Sequence, residues 1–318
     1  MKTLEFLAGK IRKAKSVLIF CHVRPDGDTI GSALALKAAL IKSGKVADIV
    51  CPSPVPEKFN IFPDAEEILS IERVKREYTA HVSVDCATQG MIADAYPLYQ
   101  KSKNTFNVDH HISNGNYAKY NLVVDSAANC ENIYNVITGL HIEIDKTIAE
   151  RLLLGISTDT GNFMHSNVTS ETLGVASELV ACGGDLHKIA YAMFKSQPKA
   201  RAELFAKVIS GMRFFADGKI SIITIMRKDL AEFGATQDLT EGFIDYPLSV
   251  DGVEVAVSIL ENKDNSYKIS LRSKGKVNVN EVAASFGGGG HILASGCLIS
   301  GFYEDVKDKI IREIGFQL

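Results

Sequence analysis

Hydrophobic spacing divides the chain into alternating short apolar runs and helical stripes. Leu4, Leu7 and Ile11 share one face of a charged first helix. The run VLIFCH (17–22) is short, rich in branched residues and closed by Pro-Asp-Gly, which predicts a buried strand. Ile30, Leu34, Ala38 and Ile41 then recur at helical spacing over 29–43, ending at Gly44 with lysines on both sides. VADIVCP (46–52), HVSVDCA (81–87), TFNVDHH (105–111) and NLVVD (121–125) predict further strands. Helical patterns follow at 131–140, 145–156 and 170–182. Strand alternating with helix is the signature of an α/β fold with a mostly parallel sheet covered on both faces.

The pattern changes after about residue 190. FKSQPKARAEL (194–204) is polar and contains proline, which suggests a linker over 191–205 between a domain at 1–190 and a smaller mixed α/β domain at 206–318. In the second part KISIITIM, GVEVAVSILE and SYKISLRS read as strands. Asp217-Gly218 precedes the first and Asp264-Asn265 separates the last two, so antiparallel hairpins are expected. A length of 318 residues fits two domains.

Charge narrows the range of partners. A net charge of −3 and a pI near 6.3 do not suit a protein that coats long DNA or RNA, which needs a broad cationic face. A small phosphorylated substrate stays open, because metal ions can supply positive charge locally. The six cysteines form no CxxC pair and mostly lie in apolar runs, as reduced buried thiols do. With no apolar stretch of the roughly 20 residues that span a bilayer, the chain reads as cytoplasmic, with no membrane partner.

The acids and histidines fall at informative places. Ligand sites of α/β sheets gather at the carboxyl ends of strands. Here the first strand ends at His22 and runs on to Asp26 and Asp28. The third ends at Asp85, the fourth at Asp109-His110-His111, and the apolar segment RLLLGIST delivers Asp159. Carboxylates on apolar strands are costly unless a cation compensates them. Donors are oxygen and imidazole with no thiolate set, which disfavours structural zinc. Mixed Asp/His ligation suits Mn²⁺, Mg²⁺ or Fe²⁺, and this many acids suggests two ions. Taken singly each residue has a plainer reading: Asp28 as a helix cap, Asp85 as a turn residue, His22 as an ordinary loop side chain.

HVRPDGDTIGSALAL (22–36), VSVDCA (82–87), NVDHH (107–111) and GISTDTGNF (155–163) together resemble the DHH phosphoesterase superfamily. SLRSKGKVNVNEVAASFGGGGHILASG (270–296) resembles its DHHA1 substrate-binding domain, and the pairing is most similar to the nanoRNase and pAp phosphatase branch. The resemblance implies that His22, Asp26 and Asp85 hold one ion and Asp28, Asp85, His110 and Asp159 the other. It places Asp109 behind a histidine and His111 on the scissile phosphate. Arg272, Ser273, Gly288, Gly289, Gly290 and His291 would bind substrate, the glycines by letting backbone N–H groups approach a phosphate.

Met91 and Met164 stand where many members carry other residues, which bears on how the far end of the substrate is gripped. The implied activity is Mn²⁺-favouring hydrolysis of very short oligonucleotides and of pAp. Cyclic-dinucleotide hydrolysis is the runner-up and a non-catalytic nucleotide-binding regulator a remote alternative. The resemblance also allows a homodimer.

Overall fold

The computed structural model describes residues 2–318, which fall into one compact unit ending at Ser196 and another spanning Gln197–Leu318. In the first unit α1 (Lys2–Lys13) leads into β1 (Ser16–Phe20), α2 (Gly27–Lys42), β2 (Val46–Val50) and, after a string of 3₁₀ turns, β3 (Ala80–Val84). Two short helices, α3 (Gln89–Ile92) and α4 (Tyr96–Tyr99), precede β4 (Thr105–Asp109) and β5 (Tyr120–Val123). Four helices follow: α5 (Asn129–Gly139), α6 (Lys146–Asp159), α7 (Ser170–Ala181) and α8 (Leu186–Phe194).

The five strands form one parallel sheet in the order β2-β1-β3-β4-β5. Alternation along β1 explains its continuous apolar sequence. Val17 and Ile19 enter the core shared with α2, α5 and α6, whereas Leu18 and Phe20 enter a second core with Ile92, Ala95 and Tyr99. The 2-1-3-4-5 order places its topological switch between β1 and β3, where such sheets bind ligands.

One reading of the first unit needs correction. The stripe drawn along α2 was too narrow: Ala33, Ala35, Leu36, Ala39 and Leu40 are also fully buried, while Ile41 is 50% exposed. A helix walled by a sheet and by α6 is apolar nearly all round. RLLLGIST lies within α6, where the helical pattern at 145–156 predicts a helix, and that helix runs on to end at Asp159.

The second unit contains α9 (Lys199–Ser210), β6 (Arg213–Phe215), β7 (Ile220–Ile225), α10 (Arg227–Glu232), α11 (Asp245–Ser249), β8 (Val255–Glu261) and β9 (Ser266–Ser273). It ends with α12 (Val279–Ala284), β10 (Gly289–His291), β11 (Ala294–Ser300) and α13 (Tyr303–Gly315). Its six strands form a mixed sheet in the order β10-β11-β9-β8-β7-β6. Asp264 and Asn265, both with positive φ, turn the β8–β9 hairpin. β7 and β8 pair parallel instead of as a hairpin, because α10 and α11 form a crossover between them. The stretch 191–205 is mostly helical, with only residues 195–198 between α8 and α9. Its polarity belongs to exposed helix faces, and Leu204 carries the buried side of α9.

All six cysteines are free and five are buried, Cys182 being the exposed one. Among the described residues no helix is long and apolar enough to cross a membrane.

Candidate metal centre

At the switch between β1 and β3 the strand-end residues come together. His22 follows β1, and its Nδ1 lies 2.8 Å from the carbonyl of Val23, which turns Nε2 toward Asp26 Oδ1 (3.6 Å) and Asp85 Oδ2 (3.5 Å). His110 follows β4 and is oriented likewise by the Ser126 carbonyl at 3.0 Å. Its Nε2 lies 3.3 Å from Asp85 Oδ1, 3.7 Å from Asp159 Oδ2 and 4.0 Å from Asp28 Oδ2. Donor atoms of His22, Asp26 and Asp85 lie within 4.8 Å of one another, as do those of Asp28, His110 and Asp159. Asp85 borders both triplets. A third such set is Asp85, His110 and His111.

Each carboxylate is placed by local structure. Asp26 is the N-cap of α2, accepting from the N–H groups of Asp28 and Thr29. Asp28, fully buried in the first turn, receives the N–H groups of Asn129 and Cys130 at the start of α5. Glycines allow this closeness. A Cβ on Gly155 of α6 would lie 2.4 Å from Asp28 Oδ1, and one on Gly31 of α2 would lie 2.5 Å from the carbonyl of Arg151. Asp159 is the last residue of α6, and its own carbonyl accepts from Asn167 Nδ2 at 3.2 Å.

The donor set fits divalent cations. Separations of 3.3–4.0 Å exceed a charge-assisted hydrogen bond. They suit ligand atoms that each stand about 2.1 Å from a shared ion. Asp85 Oδ1 is buried and has no hydrogen-bond partner. With Nδ1 of His110 committed to Ser126, the Nε2 lone pair of a neutral imidazole faces that orphaned oxygen, and only a proton or a cation between them relieves the contact.

The titration of the metal-free site agrees. Burial, then the Asp85 charge, pushes Asp28 up to about 7, and burial with the Asp28 and Asp85 charges pushes Asp159 up to about 9. Burial would lower both histidines, but the surrounding carboxylates outweigh it and raise His22 to about 11 and His110 to about 10. Without ions, protons take over part of the cation's role.

His111 Nδ1 donates to Asp109 Oδ1 at 2.8 Å, a bond that raises the imidazole above its ordinary range. Burial opposes ionisation of Asp109, but His111 and Asn114 Nδ2 (2.6 Å) hold its carboxyl below the usual value. Sequence reasoning missed Asn114 and the carbonyls of Val23 and Ser126. Backbone acceptors leave no trace in side-chain identity. Asn114 lies in the loop directly after NVDHH, and that proximity was the available signal.

In the second unit the glycine run packs closely against its neighbours. The N–H groups of Gly287 and Gly288 donate to Ala284 and Ala283, and that of Gly290 donates to Asn280 Oδ1. A Cβ on Gly288 would lie 2.2 Å from the Gly296 carbonyl, and one on Gly290 2.6 Å from that of Ala294. Close packing of β10 on β11 thus requires glycine at 288 and 290; Gly289 is exposed and uncrowded. Ser273 is buried, with its hydroxyl taken by Gly275 N–H, whereas Arg272 is half-buried and His291 exposed. Met91 packs beside Ile92 and Met164 is 82% exposed.

A parallel α/β unit with paired Asp/His triplets at its switch point, joined in sequence to a mixed-sheet unit, defines a class. Residues 16–156 match the DHH family N-terminal domain and residues 217–315 the DHHA1 domain. The chain belongs to the DHH family of phosphoesterases. It is 31% identical over 306 residues to the bifunctional oligoribonuclease and PAP phosphatase NrnA of Thermus thermophilus, covering 94% of this chain and 90% of that one. Similarity to the probable bifunctional oligoribonuclease and PAP phosphatase NrnA of Streptococcus mutans is 28% over 297 residues, covering 93% of each. Among solved structures, an exopolyphosphatase-related protein from Bacteroides fragilis is similar with a TM-score of 0.88 at 26% identity, covering 99% of this chain and 96% of that one.

Proposed function

We propose that the protein is a divalent-cation-dependent hydrolase that shortens very short oligonucleotides to mononucleotides and converts pAp to AMP. The carrying observation is the complete Asp/His set at the β1–β3 switch, in a chain similar over nearly its whole length to relatives named for these two activities.

In this reading His22, Asp26 and Asp85 hold one ion, and Asp28, Asp85, His110 and Asp159 hold the other. Mn²⁺ is the ion this reading takes first, with Mg²⁺ and Fe²⁺ suited by the same oxygen and imidazole donors. The pair supplies a lowered pKa for water and positive charge for the phosphate under attack. Protein groups do the rest. His111, anchored through Nδ1 by Asp109, presents Nε2 to the leaving oxygen as a proton donor. Asp85 ties the two ion sites together from one buried carboxylate. In the second unit Arg272 offers a two-pronged donor to a substrate phosphate and His291 a further donor. Gly288, Gly289 and Gly290 form the stretch where backbone can approach a phosphate, with Gly288 and Gly290 also allowing the close packing of that edge.

The deciding experiment is a hydrolysis panel with Mn²⁺: pAp, pApA, a five-residue RNA, c-di-AMP and a long single strand. Turnover of the first three with the long strand intact is expected. Failure on pAp, pApA and the five-mer overturns the reading, and preferential cleavage of c-di-AMP would move it to cyclic-dinucleotide hydrolysis.

A further inference from the structure

Behind the candidate metal centre lies a buried polar cluster that the ligand set does not use. The carbonyl of Cys86, one residue beyond Asp85, accepts from Asn107 Nδ2 at 3.2 Å and the Tyr117 hydroxyl at 3.2 Å, with Asn114 Nδ2 3.3 Å away. Two side-chain donors pin this carbonyl in place. The need lies in the residue before it. Asp85 has φ 56°, a left-handed conformation that a non-glycine residue keeps only when its surroundings enforce it. The pinned carbonyl, with Asp85 N–H on Val108 and Gly115 N–H on Ala87, supplies that enforcement.

Asn114 also reaches the histidine side of the centre. Its Oδ1 accepts the N–H of Asn116 at 2.7 Å, which fixes which end of the amide carries the hydrogens. Nδ2 therefore faces Asp109 Oδ2 at 2.6 Å, Asn107 Oδ1 at 2.8 Å and the Cys86 carbonyl. Asp109 is fully buried, with His111 on its other oxygen at 2.8 Å. Through Asn107, this amide thus joins the turn that aims Asp85 to the carboxylate that aims His111.

We infer that Asn114, supported by Asn107 and Tyr117, is a positioning residue that holds the Asp85 turn and the Asp109–His111 pair in register for cation binding and phosphate attack. The inference rests on the two-cation reading of the site. Removing partners that orient metal ligands typically weakens metal affinity 10- to 100-fold.

The test is Asn114→Ala in the full chain, stripped of metal and titrated with Mn²⁺ by calorimetry, beside steady-state kinetics on pApA at saturating Mn²⁺. Expected are a loss of Mn²⁺ affinity on the order of 10- to 100-fold and a fall in kcat with KM within about threefold of the unsubstituted protein. A folded variant whose Mn²⁺ affinity and kcat both stay within about twofold overturns the inference. Circular dichroism and thermal unfolding of the metal-free protein separate this role from bulk stability. Should Asn114→Ala not fold, Tyr117→Phe removes one of the donors to the Cys86 carbonyl with little change in shape. A Mn²⁺ affinity weakened about threefold supports the inference and an unchanged one overturns it. Because Mn²⁺ binding is read without substrate, failure of the parent protein to cleave pApA would defeat the proposed activity and leave this result standing. A parent protein that binds no Mn²⁺ defeats both.

Discussion

Asp85 combines near-complete burial, a φ of 56° and an Oδ1 without a hydrogen-bond donor, and its carboxylate touches two histidines that serve different triplets. A left-handed non-glycine backbone costs on the order of 1–3 kcal/mol, which suggests that the aim of the carboxylate, rather than stability, is served. Asp85→Asn keeps the shape but removes the charge that both ions would share in the proposed two-cation site. Metal-borne stabilisation of several kcal/mol predicts a loss of turnover on pApA on the order of a thousandfold. Steady-state assays at fixed Mn²⁺ check it, and near-normal turnover would contradict the shared-ligand role.

Titration gives a second prediction at this scale. His22 and His110 rise from 6.5 to about 11 and 10, and Asp28 and Asp159 from 3.8 to about 7 and 9. In each case the folded metal-free site binds protons more tightly than the unfolded chain. The stability the histidines contribute is full below about pH 6.5 and fades as pH climbs through 10 and 11. A cation must displace these protons, so Mn²⁺ affinity should increase between roughly pH 6 and 9 with proton release on binding. Calorimetry in two buffers of different ionisation enthalpy measures both quantities. A pH-independent affinity would be the contrary result.

Among elements, the contact of α2 with α6 decides whether Asp28 and Asp159 can share an ion. Their backbones approach closely because Gly31 faces the carbonyl of Arg151 and Gly155 faces Asp28 itself. In Gly155→Ala the new Cβ meets Cys130 Sγ at 2.3 Å and Asp28 Oδ1 at 2.4 Å, and neither can move freely in a closed core. Overpacking of this kind costs about 1–3 kcal/mol and pushes Asp28 off its two backbone donors. Urea unfolding should register the loss of stability and calorimetry a weaker Mn²⁺ site. Unchanged values would mean that the helices separate without consequence. Helical spacing showed that α2 exists, but its breadth of burial and its glycine contacts depend on α6, more than a hundred residues later in the chain.

At the scale of the molecule, the first unit gathers four carboxylates at one end of a parallel sheet. Cations that bind only the folded form stabilise it by about 2.7 kcal/mol at a hundredfold excess over Kd. In a unit of this size that corresponds to roughly 5 to 10 °C in Tm. Scanning calorimetry should show that Mn²⁺ raises the unfolding temperature and EDTA reverses it, with coincident scans as the opposing outcome. Short apolar runs and the 3.6-residue period were enough to determine the α/β character, the five strands of the first sheet and the placement of His22, Asp85 and His110 just beyond strand ends, because burial of a strand on two faces makes it continuously apolar. The tertiary structure alone decided the strand order that brings His22 to 3.5 Å from Asp85, the parallel β7–β8 pairing, the approach of α6 to α2 that sets Asp159 near Asp28 and the crowding around Gly288 and Gly290. Those depend on which distant backbones meet, and contacts between residues far apart in the chain leave no periodic signal in either segment.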